Sequence, residues 1–290
     1  MSYSLLHGLC RAEMEAISRL SPRASAKVIR EGAGGDLTKA IDLVAEEAAV
    51  AYLLERGFSG VLLSEEIGVK RLAPGCGQKT EPPRRSAPPN VAIPREKSLW
   101  SGTSLVLDPI DGTTNAVSGI SFYSISVALA DGPKLSDVFA GMVVELPSGR
   151  VFYAERGSGA TLDGKEIRVP EIPSPDLPVG VDMNVKGDRS KLERMSKVLL
   201  SAKHLRCMGS AALELCYVAS GGLSLYFDSR GMLRVTDIAA AAIIVREAGG
   251  SVLGLSGSDL DCKLDLRERA SLVAGSRKAC EEALALFRGD

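Results

Sequence analysis

The sequence predicts an α/β protein whose N-terminal half is α+β. Three observations lead there. From residue 179 onward, strand-like and helix-like runs alternate, the pattern of an α/β layer. Between 104 and 155 apolar residues recur at strand spacing, with a hairpin signal at Pro147-Ser-Gly149. Ahead of them lie stretches of helical periodicity, and 290 residues, 45% of them apolar, suffice for one large domain or two modest ones.

Taken in order, residues 11–30 are expected to be helical, with Ala12, Ala16, Ile17 and Leu20 near one face. A glycine-rich loop follows at 31–35. Residues 38–56 carry Ile41, Val44, Ala45, Ala48, Ala49, Tyr52 and Leu53 at helical spacing, and Gly57 suits the C-terminal stop. Gly60-Val-Leu-Leu-Ser64 reads as a short buried strand running into Glu65 and Glu66. Residues 70–98 hold six prolines and many basic residues without apolar periodicity, which predicts a mobile surface insertion or a lid. Leu105-Val-Leu107 is a strand ending at Asp108, 122–130 is another, and Val138–Glu145 with Arg150–Glu155 makes a hairpin. Beyond them the pattern predicts strand 179–183, helix 188–202, strand 204–208, helix 210–220, strand 223–228, helix 236–248, strands 251–255 and 271–274, and helix 276–288. The expected division is an N-terminal domain at 1–160 and a C-terminal α/β domain at 161–290.

Composition removes several function classes. Thirty-five basic and 36 acidic residues leave a net charge of −1, which argues against a nucleic-acid-coating protein. No apolar run approaches the roughly 18 residues of a membrane helix, and Glu13 and Glu15 interrupt any signal-peptide core. Two distant histidines make a His-rich zinc centre improbable, and six cysteines without a C-x-x-C pair indicate neither a zinc ribbon nor a disulfide scaffold. A cytoplasmic protein that binds no membrane and no nucleic acid is the expectation. Three Asn and one Gln amount to a depletion of heat-labile amides.

The chemistry concentrates in Asp108-Pro-Ile-Asp-Gly-Thr-Thr-Asn115. Two carboxylates three residues apart, at a strand end, can share a hard cation, and rigid Pro109 allows the Ile110 carbonyl to serve as a third oxygen ligand. Oxygen-only ligation with few protein ligands suits Mg²⁺, which keeps coordination positions for a phosphate. The N–H groups of Gly112, Thr113 and Thr114 at a helix start would hold that phosphate. Taken alone, the segment also reads as a tight turn with capping aspartates. Glu65 and Glu66 end another apolar strand. Asp237 opens the apolar helix at 238–248, where it could equally be a cap. Asp42 lies on the apolar-rich face of its helix, either at the solvent edge or aimed at a site.

Four pieces in the right order, Leu63-Ser-Glu-Glu66, Asp108-Pro-Ile-Asp-Gly-Thr-Thr114, Gly209-Ser-Ala-Ala212 and Thr236-Asp-Ile-Ala-Ala240 leading into Glu247-Ala-Gly-Gly250, give a chain that resembles the inositol monophosphatase-like sugar phosphatases. The family's second motif usually reads Trp-Asp. Thr236-Asp237, with Phe227-Asp-Ser-Arg230 and Leu233-Arg-Val235, is more similar to archaeal members that act on both inositol-1-phosphate and fructose-1,6-bisphosphate. The resemblance implies a layered α/β/α/β/α sandwich and a homodimer. It implies metal ligands at Glu65, Asp108, Ile110 (carbonyl), Asp111 and Asp237, holding two to three Mg²⁺, with Mn²⁺ as a possible substitute and the third ion near Glu65 and the loop at 32–35. It also implies an Asp42–Thr113 dyad that helps deprotonate a metal-activated water, with Glu65 in the catalytic set. Substrate would meet Asp111 and the Gly209-Ser210-Ala211 turn, with Asp228 and Arg230 as further contacts and Arg206 or Arg230 on a second phosphate. The 43-position step from Glu65 to Asp108 is about twice what the family leads one to expect.

Three other segments mimic known chemistry. Gly159-Ala-Thr-Leu-Asp-Gly-Lys165 has P-loop spacing, but Glu166 stands where Ser or Thr is required, so it reads as a hairpin. Asp259-Leu-Asp261 lacks the apolar strand an aspartyl nucleophile needs. Cys262 and Arg267 are one residue too close for a cysteine-phosphatase loop. The rival functions are a nucleotide phosphatase, for example on 3′-phosphoadenosine 5′-phosphate, and a non-catalytic metal-binding homologue. An aromatic content of 4% offers little platform for adenine.

Overall fold

The computed structural model describes residues 1–20, 25–31, 37–73, 102–172, 176–185 and 188–289. In chain order the N-terminal elements are α1 (Ser2–Ser18), β1 (Val28–Glu31), β2 (Leu37–Lys39), α2 (Ala40–Glu55), β3 (Gly60–Ser64), β4 (Gly68–Leu72), β5 (Ser104–Asp111), α3 (Thr113–Ser118), β6 (Ser124–Ala130), β7 (Val138–Glu145), β8 (Arg150–Glu155), β9 (Ala160–Leu162) and β10 (Lys165–Ile167). Then come β11 (Val179–Val181), α4 (Arg189–Ser201), β12 (Leu205–Arg206), α5 (Ala211–Ala219), β13 (Leu225–Leu233), α6 (Val235–Glu247), β14 (Ser251–Leu253), β15 (Ala270–Gly275) and α7 (Arg277–Arg288).

Among the described residues β3 to β10 form one sheet in the order β10-β9-β8-β7-β6-β5-β3-β4, antiparallel except where β3 runs parallel to β5. The second sheet is ordered β12-β11-β13-β15-β14. Residues 238–245 have no polar face, so a helix made of them must be covered all round. That helix, α6, lies with α5 between the two sheets; α1 and α2 cover the outer face of the large sheet, and α4 and α7 that of the small one. The result is the expected α/β/α/β/α layering. Burying one such Ile or Leu contributes roughly 1.5–3 kcal/mol, and α6 alone buries Ile238, Ile243 and Ile244. Gly141 on β7 is what lets α6 approach, because a Cβ there would lie 2.7 Å from the Ala240 carbonyl oxygen. No helix among the described residues is long and apolar enough to cross a membrane.

Three expectations need correction. The helix expected at 11–30 occupies Ser2–Ser18 instead, because its buried stripe is Leu6, Leu9, Cys10 and Glu13. Residues 28–31 form a strand against β2, favoured by the β-branched pair Val28-Ile29. The insertion expected at 70–98 begins later, since 68–72 pair with β3 as an edge strand whose alternating exposed residues hid it. The rest of that segment, from 74 on, and the loop at 32–36 lie outside the described residues. Strand β13 runs on to Leu233, five residues past the expected end, through an irregularity after Asp228. The P-loop mimic is the β9–β10 hairpin, turning at Asp163-Gly164, where both residues have positive φ.

Candidate metal centre

Register places the first two carboxylates. In the parallel pair Ser64 stands opposite Leu107, so Glu65 and Asp108 leave neighbouring strand ends at the same level. Asp108 then begins an irregularity: it faces Ser126 and Asp111 faces Ser124, so two residues on β5 oppose one on β6. Pro109, without an N–H, sits in that bulge, and the Ile110 amide donates to Asp108 Oδ1 at 3.0 Å. Asp237 arrives from the other half in the first turn of α6, where its Oδ2 accepts the Arg234 amide at 2.9 Å and the Thr236 hydroxyl lies 3.2 Å from Oδ1. One oxygen each of Glu65, Asp108 and Asp237 come within 4.8 Å of one another.

Three converging carboxylate oxygens, with no nitrogen or sulfur among them, are a hard donor set that fits Mg²⁺ or Mn²⁺. The electrostatics agree. Burial, then repulsion from Asp237, pushes Glu65 up to about 8. Burial, then Glu65 and Asp111, raises Asp108 well above the carboxylate range. Burial also raises Asp237, against the pull of its hydrogen bond from the Arg234 amide. Carboxylates so placed need neighbouring cations to stay ionised. One is already present: Arg234 Nη1 lies 2.5 Å from Glu65 Oε1.

Asp111 is not one of the three converging groups. Its Oδ2 accepts the Ser210 hydroxyl and the Ala212 amide, each at 2.7 Å, so it faces the N-terminus of α5. Burial and Asp237 push it to about 7. The Ile110 carbonyl accepts the Thr113 hydroxyl at 2.9 Å. The same hydroxyl reaches Asp42 Oδ1 at 3.1 Å, and Asp42 Oδ2 accepts the Lys39 amide at 3.0 Å. Burial brings Asp42 to about 7, although the Lys39 amide stabilises its charge.

The other expected contacts are placed as follows. Gly112 has φ +90° and packs against the Gly209 and Phe122 carbonyls, so only glycine suits this crossing. Thr114 and Gly209 are exposed, Ala211 is half-buried and Ser210 is buried. Exposed Arg206 turns a guanidinium nitrogen to its neighbour's carbonyl. Arg230 is buried and held by Asp228, and also by Asp182 at 2.8 Å, so its charge is matched inside the fold.

Sequence reasoning missed three supports. Asn115 donates to the carbonyls of Phe122 at 2.8 Å and Met208 at 2.7 Å, which ties α3 to the Gly209 turn. It stands inside the quoted motif, and only its neighbours drew notice. Glu46 Oε1 accepts the Ile67 amide at 3.0 Å and so anchors the loop that follows Glu65 to α2. Glu214 on α5 is buried, its oxygens near the Met208 and Gly209 amides without a well-formed hydrogen bond, and burial pushes it to about 9. A carboxylate on the apolar side of each helix was the available signal for the last two.

The comparisons with known proteins bear on this arrangement. The profile described as "Inositol monophosphatase family" matches residues 4–289. The fructose-1,6-bisphosphatase/inositol-1-monophosphatase of Methanothermobacter thermautotrophicus is 36% identical over 264 residues, 89% of this chain and 85% of that one. The bifunctional NADP phosphatase/NAD kinase of Methanocaldococcus jannaschii is 32% identical over 90% of this chain, which spans only 46% of that longer protein. Among solved structures, an inositol monophosphatase–fructose 1,6-bisphosphatase superposes with a TM-score of 0.77 at 24% identity, covering 98% of both chains, and thereby shows the fold. With the family profile spanning residues 4–289 and the Methanothermobacter relative 36% identical over 89% of the chain, the chain belongs to the inositol monophosphatase family.

Proposed function

We propose that this protein is a Mg²⁺-dependent phosphomonoesterase acting on inositol-1-phosphate, fructose-1,6-bisphosphate or both. The observation that carries the reading is the convergence of Glu65, Asp108 and Asp237 at the strand ends beside the Asp42–Thr113 pair. Glu65, Asp108 and Asp237 would hold the first cation, with Asp111 and the Ile110 carbonyl alongside for a second. A divalent cation bound there supplies Lewis-acid polarisation of a phosphoryl group and acidifies water.

The chain's own groups do the rest. The Thr113 hydroxyl has one proton and two acceptor lone pairs, so with its proton on Asp42 Oδ1 it can orient a water by accepting from it. Asp42, with its proton affinity near neutrality, takes the proton. Ser210 and the Ala212 amide fix Asp111 through Oδ2, and its other oxygen would accept from a substrate hydroxyl. Family membership also supports a homodimer.

A second reading has its own support. The NADP phosphatase/NAD kinase relatives of Methanocaldococcus jannaschii and Methanococcus maripaludis cover 90% and 91% of this chain, so a nucleotide phosphate is the rival substrate. Phosphate release with Mg²⁺ from inositol-1-phosphate, fructose-1,6-bisphosphate, 3′-phosphoadenosine 5′-phosphate and NADP separates them. Comparable rates on the first two are expected. A preference for either nucleotide transfers the assignment, and no release from any of the four refutes the phosphatase reading.

A further inference from the structure

We infer that Arg234 is a resident counter-cation of the metal centre: it occupies Glu65 in the metal-free chain and gives that carboxylate up when a divalent cation enters. The inference rests on reading Glu65, Asp108 and Asp237 as metal ligands. Arg234 is the residue before α6, three positions ahead of Asp237. Its two polar ends therefore diverge. The backbone N–H donates to Asp237 Oδ2 at 2.9 Å, while the guanidinium reaches across to Glu65 Oε1 at 2.5 Å, 169 positions away in the chain.

Both side chains of this pair are only 15% exposed, so little water weakens their attraction. Glu65 also contributes one of the three oxygens that converge within 4.8 Å. A guanidinium and a divalent cation thus compete for one carboxylate. A bare cluster of buried carboxylates would repel itself or take up protons, and Arg234 offsets part of that charge before any metal arrives. Buried Arg230 differs from Arg234 in that its charge is matched by Asp228 and Asp182 rather than by a member of the cluster. Metal affinity is then the attraction of the carboxylates minus the cost of breaking the Arg234–Glu65 pair. Arg234 sets how tightly the centre loads without being one of its ligands.

The test uses the full chain stripped with a chelator. Mn²⁺ binding is followed by calorimetry, and melting of the metal-free protein by circular dichroism, for wild type, Arg234→Met and Arg234→Gln. The methionine variant removes the charge at similar length. The glutamine variant removes the charge but keeps a polar donor of shorter reach, and guards against a folding defect caused by an apolar side chain there. Both are expected to bind Mn²⁺ roughly tenfold more tightly than wild type at the tightest site and to melt at lower temperature without metal. Wild-type binding with unchanged or weaker affinity in both variants overturns the counter-cation role and leaves the metal centre standing. No Mn²⁺ binding by wild type overturns the metal reading and this inference with it.

Discussion

The Thr113 hydroxyl lies 3.1 Å from Asp42 Oδ1, joining residues 71 positions apart, one from the start of α3 and one from the first turn of α2. Neither group is much of a base alone: a threonine hydroxyl does not ionise in this range, and a solvated aspartate is too acidic to hold a proton near neutrality. Together, and buried, they form a unit. Thr113→Ala and Asp42→Asn are each expected to lower kcat by about 10²–10⁴ with KM changed only a few-fold, and the double variant should be no worse than the worse single one. Steady-state kinetics on the four proteins decides it; losses that multiply would mean the two act separately.

The converging carboxylates are held together at the expense of the fold's stability. Asp108 is buried and pushed up by desolvation and by Glu65 and Asp111. Asp108→Asn keeps the shape and an oxygen for the Ile110 amide while removing the charge. The variant should gain about 1–3 kcal/mol in metal-free stability and lose the stabilisation that Mg²⁺ or Mn²⁺ gives the wild type. Thermal melts with and without metal show both effects.

Asn115 holds two carbonyls from separate segments, Phe122 and Met208. Asn115→Ala leaves both acceptors without this donor and frees the Gly209 turn that positions Ser210. Urea unfolding should show a loss of about 1–3 kcal/mol, and KM should rise more than kcat falls. An unchanged KM with reduced stability would confine Asn115 to the fold.

Burial raises Glu214 from 4.5 to about 9. The folded state keeps this proton up to about 9, whereas the unfolded chain releases it near 4.5. Between those values folding takes up a proton, so stability falls as pH rises, by at most about 1.4 kcal/mol per unit from this group. Glu214→Gln is neutral throughout and should flatten the curve. Its advantage over wild type in urea unfolding should therefore grow from pH 6 to pH 8.5. A constant difference would mean that Glu214 is ionised in the fold.

Much of this was legible because periodicity and neighbours agree. Residues 60–64, 138–145 and 150–155 became strands with the bounds that the buried apolar run and the hairpin signal predict, and the apolar run at 238–245 became the covered central helix. Elements whose polar side faces water were read less well. Strand β4 alternates Val69 and Arg71 outward, and α1 begins with Ser-Tyr-Ser before its buried stripe declares itself. At the site, Asp108 was legible from its spacing to Asp111 at a strand end, whereas Glu65 and Asp237 entered as ligands through the resemblance of their motifs, Asp237 reading by itself equally well as a helix cap. The Arg234–Glu65 pair, the Asn115 bridge and the Asp182–Arg230 pair were not, since each joins segments whose proximity only the folded chain creates.

The placement of α6 has one more consequence. Its backbone runs between two sheets, with ten of its 13 residues buried. Sliding or fraying of either sheet alone does not bring water to the middle of this helix. In hydrogen–deuterium exchange its central amides, around 240–245, should be among the last to label, at the rate of global opening. Asp237 lies one turn ahead of that slow segment, so the carboxylate that the C-terminal half contributes to the site is carried by a helix whose centre opens only with the whole fold.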